Sequence, residues 1–456
     1  MDSHRSVQST NSPSTIESWL ESLPGLTAHF LDPNRSAQQP SRKRAMSGSR
    51  TSSPAKRPRL DNMTATSTPS HPLSAPPSLP TGSSATRRSA SPTKKVSDLT
   101  FFRKPIHYVP LPDNTPLQQL PDDVHHLYRA VSAIQYLESV IPHKVRPDLE
   151  RILGSDHVRD SWFQAPTAGL TPEQETLAAE ALAPVGQGHR RRTRRPTTRD
   201  EFAVAELDTL LAINAEAKEL SCSSEAAWNT LVHWPLLKHA LSGFRHLRIE
   251  MATTAQIAKP AMPPTQKSHH NRDLVSQGKM VDMAITLRLP YRPWDPTVPP
   301  ADTQLMEAIR SAAVSGELAD GLESVNQTMY EPVRYTPIAV SIETKTSAGD
   351  DEAAKVQLGV WVAAWHHRLE AFRRAEGIRI VTLPLLLVTG HHWQLLFACD
   401  RGWGIEIVHE ISIGDTQTLL AMYRLVAVLR ALGRWVESSY RQWVEEWFLH
   451  HDLDAG

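Results

Sequence analysis

The stretch PIAVSIETKTSAGDDEAAKVQLGVWVAAWHHRLEAFRR, residues 337–374, predicts a hydrophobic strand that leads through a short break into a helix. From residue 338 onward, isoleucine and valine alternate with smaller or polar residues, and this period of two is typical of a strand. Side chains two positions apart share one face of a strand, so Glu343 and Lys345 should lie side by side. A carboxylate and an ammonium at the end of a hydrophobic strand are costly to bury without a partner or a purpose. This pair is therefore the candidate chemical centre.

The chain has 456 residues and equal numbers of acidic and basic side chains, but their distribution is uneven. The first 100 residues hold 13 Lys and Arg against 6 Asp and Glu, whereas the remainder holds 36 against 43. The folded part is not a generic polycation, which argues against a protein that coats nucleic acid by charge alone. The two cysteines, Cys222 and Cys399, cannot form a disulfide framework or a cysteine-based zinc site. No apolar run reaches the roughly 20 residues of a membrane span, so we expect a soluble intracellular protein without a membrane partner.

The N-terminal segment, residues 1–100, is rich in Ser, Thr and Pro and predicts a disordered tail. It contains two basic clusters separated by a polar spacer: Arg42, Lys43 and Arg44, then Lys56, Arg57 and Arg59. Their spacing suits a bipartite nuclear-import signal, so we expect an import receptor as a partner and the nucleus as the location. The alternative is a basic tail that only improves solubility.

Two further regions follow the tail. Residues 101–220 predict a helical extension, with helices at 124–141, 148–153, 172–182 and 200–219. Five arginines lie within positions 190–195. Such a run is usually a solvated loop, and it could equally contact phosphates or act as a second import signal. Residues 221–450 predict a domain whose elements run helix, strand, strand, helix, strand, strand, strand, helix. That order predicts an α/β fold with a mixed central β-sheet flanked by helices.

Within this domain, the strands are expected at 281–289, 338–345, 378–388, 393–399 and 405–413. A surface helix is expected at 303–313 and a long helix at 416–447. Another helix should begin after a cap at Ser223 or Ser224, which places Glu225 in its first turn. In the helix that follows the central strand, Gln357 shares a face with Trp361 and Arg368.

A second acidic residue, Asp282, falls on the strand before the Glu343 strand. If these two strands pair, two carboxylates and the ammonium of Lys345 converge at one end of the sheet. Carboxylate oxygens, a backbone carbonyl and waters suit Mg²⁺ or Mn²⁺. Such an ion polarises a phosphate and lowers the pKa of a bound water, while the lysine can hold that water or stabilise developing charge.

The ordered set of these residues resembles the PD-(D/E)XK nuclease superfamily and, more narrowly, uncharacterised fungal proteins with a PD-(D/E)XK nuclease-like domain. The resemblance runs from about residue 120 to 447. Its pieces are EAAWN at 225–229 with His233, TAQI at 254–257, VD at 281–282, NQT at 326–328, PIAVSIETK at 337–345, QLGVW at 357–361, GHHW at 390–393 and YRQW at 440–443. An isolated D…ExK is a weak signal, but the whole ordered set is far more specific.

The resemblance implies a restriction-endonuclease-like core that hydrolyses phosphodiester bonds in nucleic acid, DNA in preference to RNA, with Mg²⁺ or Mn²⁺. It implies Asp282 and Glu343 as metal ligands and Lys345 as the catalytic lysine. It also implies Glu225 as a helix carboxylate that assists the metal site and Gln357 as a side chain that orients substrate or water.

Two features depart from the family pattern. Asp282 follows Val281 where the family motif has a proline, and 61 positions separate Asp282 from Glu343. We attribute the long separation to the proline-rich segment at 290–300 and to the helix after it.

Each feature of the site also has a structural interpretation. Glu343 and Lys345 could form a cross-strand ion pair at a sheet edge, Glu225 could be an acid favoured by the helix dipole, and Gln357 could be a partly exposed helix residue. Adjacent histidines point apart, so the pairs at 269–270, 366–367 and 391–392 are not expected to bind metal. Five helical tryptophans are expected in the core: Trp361, Trp365, Trp435, Trp443 and Trp447.

The alternative function is a catalytically inactive nucleic-acid-binding or protein-interaction module on the same fold. The acidic balance of the folded part favours it, because a nuclease collects phosphates on a positive surface.

Overall fold

The computed structural model describes residues 95–114, 116–165, 198–266, 280–290, 297–314, 321–372 and 379–449. Several predictions lie outside these residues: the tail up to residue 94 with both basic clusters, the helix at 172–182, the arginine run at 190–195 and the histidines at 269–270. The last residues of the predicted tail are folded, since Val96–Phe101 forms a 3-10 turn. Leu99 of this turn is fully buried, and its side chain packs against Gly359.

Seven strands form one mixed sheet in the order β1-β7-β6-β5-β4-β3-β2. The strands are β1, Ile106–Pro110; β2, Leu247–Met251; β3, Met283–Leu287; β4, Ile338–Lys345; β5, Leu383–Thr389; β6, His392–Asp400; and β7, Ile405–Asp415. β1 pairs with β7 and β4 with β5 in parallel, and the other neighbours are antiparallel. The predicted mixed sheet is confirmed, and the two strands that were not predicted, β1 and β2, are its edges.

The helices are α1, Pro116–Gln119; α2, His125–Gln135; α3, Arg146–Leu153; α4, Arg199–Glu219; α5, Glu225–Trp228; α6, Trp234–Ala240; α7, Pro300–Val314; α8, Asp351–Phe372; α9, Leu419–Trp435; and α10, Arg441–Leu449. Two π-helical turns, Asn229–His233 and Val436–Tyr440, join α5 to α6 and α9 to α10. The remaining 3-10 turns are Asp122–Val124, His143–Val145, Ser155–His157, Asp160–Trp162, Lys259–Ala261 and Glu331–Val333. None of the described helices is long and apolar enough to cross a membrane.

Three helices differ from their predicted form. The helix expected at 124–141 ends at Gln135, because Leu137 and Ser139 adopt the left-handed conformation and turn the chain. The helix expected at 303–313 begins at Pro300 and buries one face in the core, so it is not a surface element. The long helix expected at 416–447 begins after a Thr418 cap and is divided by a π turn.

The central strand β4 lies inside the sheet, and its residues Ile338 to Thr344 are buried on both faces. On one face it is covered by α8, where Trp361 Nε1 donates to Ser341 Oγ at 3.0 Å. The opposite face, on which Trp393 of β6 lies, packs against His233 of the first π turn. Small residues such as Ser341 lie on the face of β4 that α8 covers, and they leave room for the indole of Trp361.

The turn between β5 and β6 requires a glycine. Gly390 has a φ of 56°, and its N–H donates to the carbonyl of Lys345 at 2.7 Å. A Cβ at this position would clash with Ser347 Oγ and would lie 3.2 Å from Ser347 N. The left-handed conformation and the close approach of Ser347 both favour glycine here.

We expect Gly390→Ala to lower the free energy of unfolding by about 2–3 kcal/mol, because the clash with Ser347 adds to the conformational strain. Gly402 is a matched control: its φ is 78°, but a Cβ there would have no atom within 4 Å. Gly402→Ala should therefore cost only about 1 kcal/mol. Urea unfolding of both variants measures the difference, and equal losses would mean that the contact with Ser347 plays no part.

Candidate active site

Antiparallel pairing of β3 with β4 brings Asp282 to the end of β4, as the sequence predicted. Asp282 lies one residue before β3; its N–H donates to Ile342 O at 3.0 Å and its carbonyl accepts from Ala252 N at 2.8 Å. Its Oδ2 accepts from the N–H and from the hydroxyl of Thr344, both at 2.8 Å. Asp282 and Glu343 therefore stand at the same end of the sheet.

Lys345 joins two carboxylates at this end of the sheet. Its Nζ lies 2.5 Å from Glu343 Oε1 and 3.5 Å from Glu225 Oε2. Glu343 and Lys345 do lie side by side, as the alternation along β4 predicted. They are not a pair at a sheet edge, because β3 and β5 flank β4 and only 1% of Glu343 is exposed.

Glu225 reaches the site from the first turn of α5. The Ser224 side chain caps this helix by accepting from Ala227 N at 3.3 Å, which fixes where the helix begins. A carboxylate in the first turn is favoured by the helix dipole. The position of Glu225 therefore agrees with the helix-dipole interpretation, and its contact with Lys345 is an additional feature.

Gln357 is directed at the chain that leads into Asp282 instead of at the carboxylates. Its Nε2 donates to the carbonyl of Met280 at 3.3 Å, and its side chain is half-buried on α8. The structure thus brings together Glu225, Asp282, Glu343 and Lys345, and it places Gln357 beside this group.

The site holds more negative than positive charge. Burial, together with the charge of Asp282, raises the pKa of Glu343 to about 8, although Lys345 acts in the opposite direction. Burial also raises the pKa of Glu225, again with a contribution from Asp282. Burial by itself lowers the pKa of Lys345, but the neighbouring Glu343 outweighs this effect and raises it. Among the described residues, Lys345 contacts two carboxylates and also interacts through its charge with a third, Asp282, so this group favours an additional cation.

The oxygen atoms at this site fit a hard divalent ion. Glu343 Oε2 is buried without a hydrogen-bond partner in the part of the chain that the structure describes. Asp282 uses Oδ2 for Thr344, which leaves Oδ1 without a hydrogen bond to any described residue. No group of three or more His, Cys, Asp or Glu side chains among these residues is arranged to hold a metal ion. The two carboxylates with these oxygen atoms suit a hard divalent ion whose coordination water would complete.

The other aromatic and histidine residues singled out from the sequence lie elsewhere. His391 Nδ1 contacts Thr416 Oγ1 at 2.9 Å, and His366 is buried with its ring against Trp365. The five helical tryptophans are buried in the core, as predicted: Trp361, Trp365, Trp435, Trp443 and Trp447.

Sequence analysis named Asn229, His233 and Gly390 only as pieces of the family resemblance and did not predict that they hold the end of β4. His233 Nε2 lies 3.0 Å from the carbonyl of Gly390, whose N–H holds Lys345, and His233 Nδ1 lies 3.0 Å from Asn229 Oδ1. Burial lowers the pKa of His233 to about 4, so the ring is neutral and only one of its nitrogens donates. Because Gly390 O can only accept, Nε2 is that donor; Nδ1 then accepts, which requires the Asn229 amide to turn its NH2 group towards Nδ1. An asparagine four positions before a histidine on an apolar helix is the sequence signal that could have indicated the contact between Asn229 and His233. For Thr344 the sequence holds no such signal.

A comparison with protein-family models matches residues 180–441 to the PD-(D/E)XK nuclease superfamily. This range covers more than half of the chain and includes all the candidate site residues. No curated protein and no solved structure matches the chain.

The pH dependence of stability should show the burial of Glu343. Its pKa in the folded state is about 8, above the value of 4.5 for the exposed group. At pH values between these two, the folded protein therefore keeps a proton that the unfolded chain has lost. The stability that this proton contributes is complete below pH 4.5 and is lost as the pH rises through about 8. Between about pH 5 and about pH 8, the wild type should lose about 2–4 kcal/mol more than Glu343→Gln, measured by urea unfolding.

Glu331→Gln serves as the control for this measurement, because the side chain of Glu331 is 79% exposed. This variant should keep the pH dependence of the wild type. A Glu343→Gln variant with the same pH dependence as the wild type would contradict the raised pKa.

Proposed function

We propose, because the chain belongs to the PD-(D/E)XK nuclease superfamily, that it hydrolyses phosphodiester bonds in nucleic acid with the help of Mg²⁺ or Mn²⁺. The observation that supports this most directly is that Glu225 and Glu343 contact the ammonium of Lys345 while Asp282 lies at the same end of the sheet and raises the pKa of Glu343. This group stands at one end of the sheet, and the side chain of Glu225 is 38% exposed there. A substrate can therefore approach from the side of Glu225.

In this proposal Asp282 and Glu343 would hold the divalent ion. When bound, the ion neutralises charge on the phosphate and lowers the pKa of a coordinated water. Lys345, held 2.5 Å from Glu343, would orient the attacking water and stabilise the negative charge that develops on the phosphate. Glu225 would keep the ammonium in place from the solvent side of the site. Gln357 would orient substrate or water, and for this its amide would leave the carbonyl of Met280.

The second candidate function is a catalytically inactive nucleic-acid-binding or protein-interaction module. The charge of residues 101–456 favours the protein-interaction form of this module, because 43 acidic side chains against 36 Lys and Arg repel a polyanion. Such a module would bind its partner without metal-dependent turnover.

We also propose that the chain acts in the nucleus, and the support for this is the spacing of two basic clusters: Arg42, Lys43 and Arg44, then Lys56, Arg57 and Arg59. An import receptor would bind both clusters. DNA in preference to RNA is then the substrate that the chain would meet.

The full-length chain should cleave DNA in the presence of Mg²⁺ or Mn²⁺, and Lys345→Met should slow cleavage by about 10²–10³-fold. The reason is the loss of a charge placed to stabilise the transition state. Lys144→Met is the matched control, since Lys144 is half exposed and pairs with Asp200 on the surface, 3.8 Å away. Gel-based rates measured on single- and double-stranded substrates give the comparison. Cleavage that survives both Lys345→Met and Asp282→Asn would exclude this site, and binding without turnover would favour the inactive module.

Calorimetry should show that the folded wild type binds Mn²⁺ and that the double variant Asp282→Asn, Glu343→Gln does not. The affinity should rise with pH up to about 8, because the ion displaces the proton that Glu343 holds at lower pH. The same displacement makes the measured heat depend on the ionisation enthalpy of the buffer. Wild-type protein that binds no Mn²⁺ at pH 8, even with nucleic acid added, would contradict the proposed metal site.

A further inference from the structure

Thr344, the residue between Glu343 and Lys345, holds the carboxylate of Asp282 with both of its polar groups. Its N–H and its hydroxyl each donate to Asp282 Oδ2 at 2.8 Å. Thr344 is fully buried and Asp282 is 8% exposed. Both hydrogen bonds therefore join a charged acceptor to its donors away from bulk water, where such bonds are stronger than between neutral groups.

The two bonds have different origins. The pairing of β3 with β4 ends where Met283 lies opposite Ile342, so the N–H of Thr344 has no partner from β3 itself. The Asp282 carboxylate takes the place of that partner, and any residue at 344 except proline would supply the same N–H. The hydroxyl is an additional donor that only serine or threonine would add at this point of the strand.

The additional donor decides which way the carboxylate faces. Two donors on Oδ2 fix its orientation and leave Oδ1 as the oxygen that is open to a ligand. With the N–H alone, the carboxylate can turn about a single bond towards Lys345, with which it interacts through its charge. An ion pair of Asp282 with Lys345 would occupy the oxygen that a metal ion requires.

We propose that Thr344 is a positioning residue of the metal site: its hydroxyl holds Asp282 Oδ2 so that Oδ1 faces the ion. This inference rests on the proposed function, because the ion is what makes the orientation of Asp282 matter. Thr344 itself does not touch the ion or the substrate. It acts through Asp282, and its side chain points to the face of β4 opposite to that of Glu343 and Lys345.

Two substitutions separate the hydroxyl from the rest of the side chain. Thr344→Val keeps the shape and removes the hydroxyl, whereas Thr344→Ser keeps the hydroxyl and removes the methyl group. We expect the valine variant to bind Mn²⁺ about 10-fold or more weakly, as is usual when the hydrogen bond behind a metal ligand is lost. The serine variant should stay within about twofold of the wild type. Calorimetry on the full-length chain measures both affinities.

Crystal structures of the metal-free variants provide a readout that does not depend on metal binding. The carboxylate of Asp282 should turn away from residue 344 in Thr344→Val and keep its place in Thr344→Ser. Thr344→Ala, whose side chain is too small to clash, repeats the test if the valine perturbs the fold. An unmoved Asp282 in both hydroxyl-free variants would overturn the proposal. So would a serine variant that loses as much Mn²⁺ affinity as the valine variant.

Failure of the proposed function would look different. A wild type that binds no Mn²⁺ would contradict the metal site, while the orientation of Asp282 in the variant structures would still show whether Thr344 holds it. Unchanged Mn²⁺ affinity in all variants, together with a displaced Asp282, would show that the orientation has no role at the metal site and would overturn the proposal.

Discussion

The buried negative charge at the end of β4 is the constraint on which the surrounding structure depends. Glu343 is 1% exposed and stands next to Asp282, and a buried carboxylate is costly unless it is paired, hydrogen-bonded or protonated. The fold uses all three means. Lys345 pairs with Glu343, Thr344 donates twice to Asp282, and the raised pKa of Glu343 lets this side chain hold a proton. A chain selected for stability alone would place apolar residues here, so this arrangement indicates chemistry.

Helices on both faces of the sheet hold this charged end in position. α8 is fixed to β4 by the bond from Trp361 to Ser341, and Lys345 is fixed through Gly390 to His233. His233 lies in a π turn, a departure from regular helix that is frequent at functional sites. The turn lets the helix that begins with Glu225 also supply the histidine. One helix therefore contributes both a charged group and a support for the strand opposite it.

Local pattern was enough to predict the centre of the sheet but not its edges. β4 and its helix α8 were predicted because, within one stretch of sequence, the apolar residues change from every second position to helical spacing. β1 and β2 have five residues each and mix polar with apolar side chains, and β1 gains its stability from a partner far along the chain, with Ile106 opposite Ile405. The same limit holds at the site. The Glu343–Lys345 pair follows from spacing along one strand, whereas the bond from His233 to Gly390 joins residues 157 positions apart.

The acidic balance of the folded part and a polyanionic substrate can be reconciled within the proposed mechanism. Three carboxylates and one ammonium leave an excess of two negative charges when all are ionised, and these repel a phosphate that approaches by way of Glu225. A divalent ion held by Asp282 and Glu343 would cancel this excess, so its charge would be needed before the phosphate arrives and not only during hydrolysis. In the proposed mechanism, charge alone would therefore require the ion to bind before the nucleic acid. In this view Lys345 has two successive roles: it contacts Glu343 before an ion binds, and it would face the substrate once the ion has taken that place.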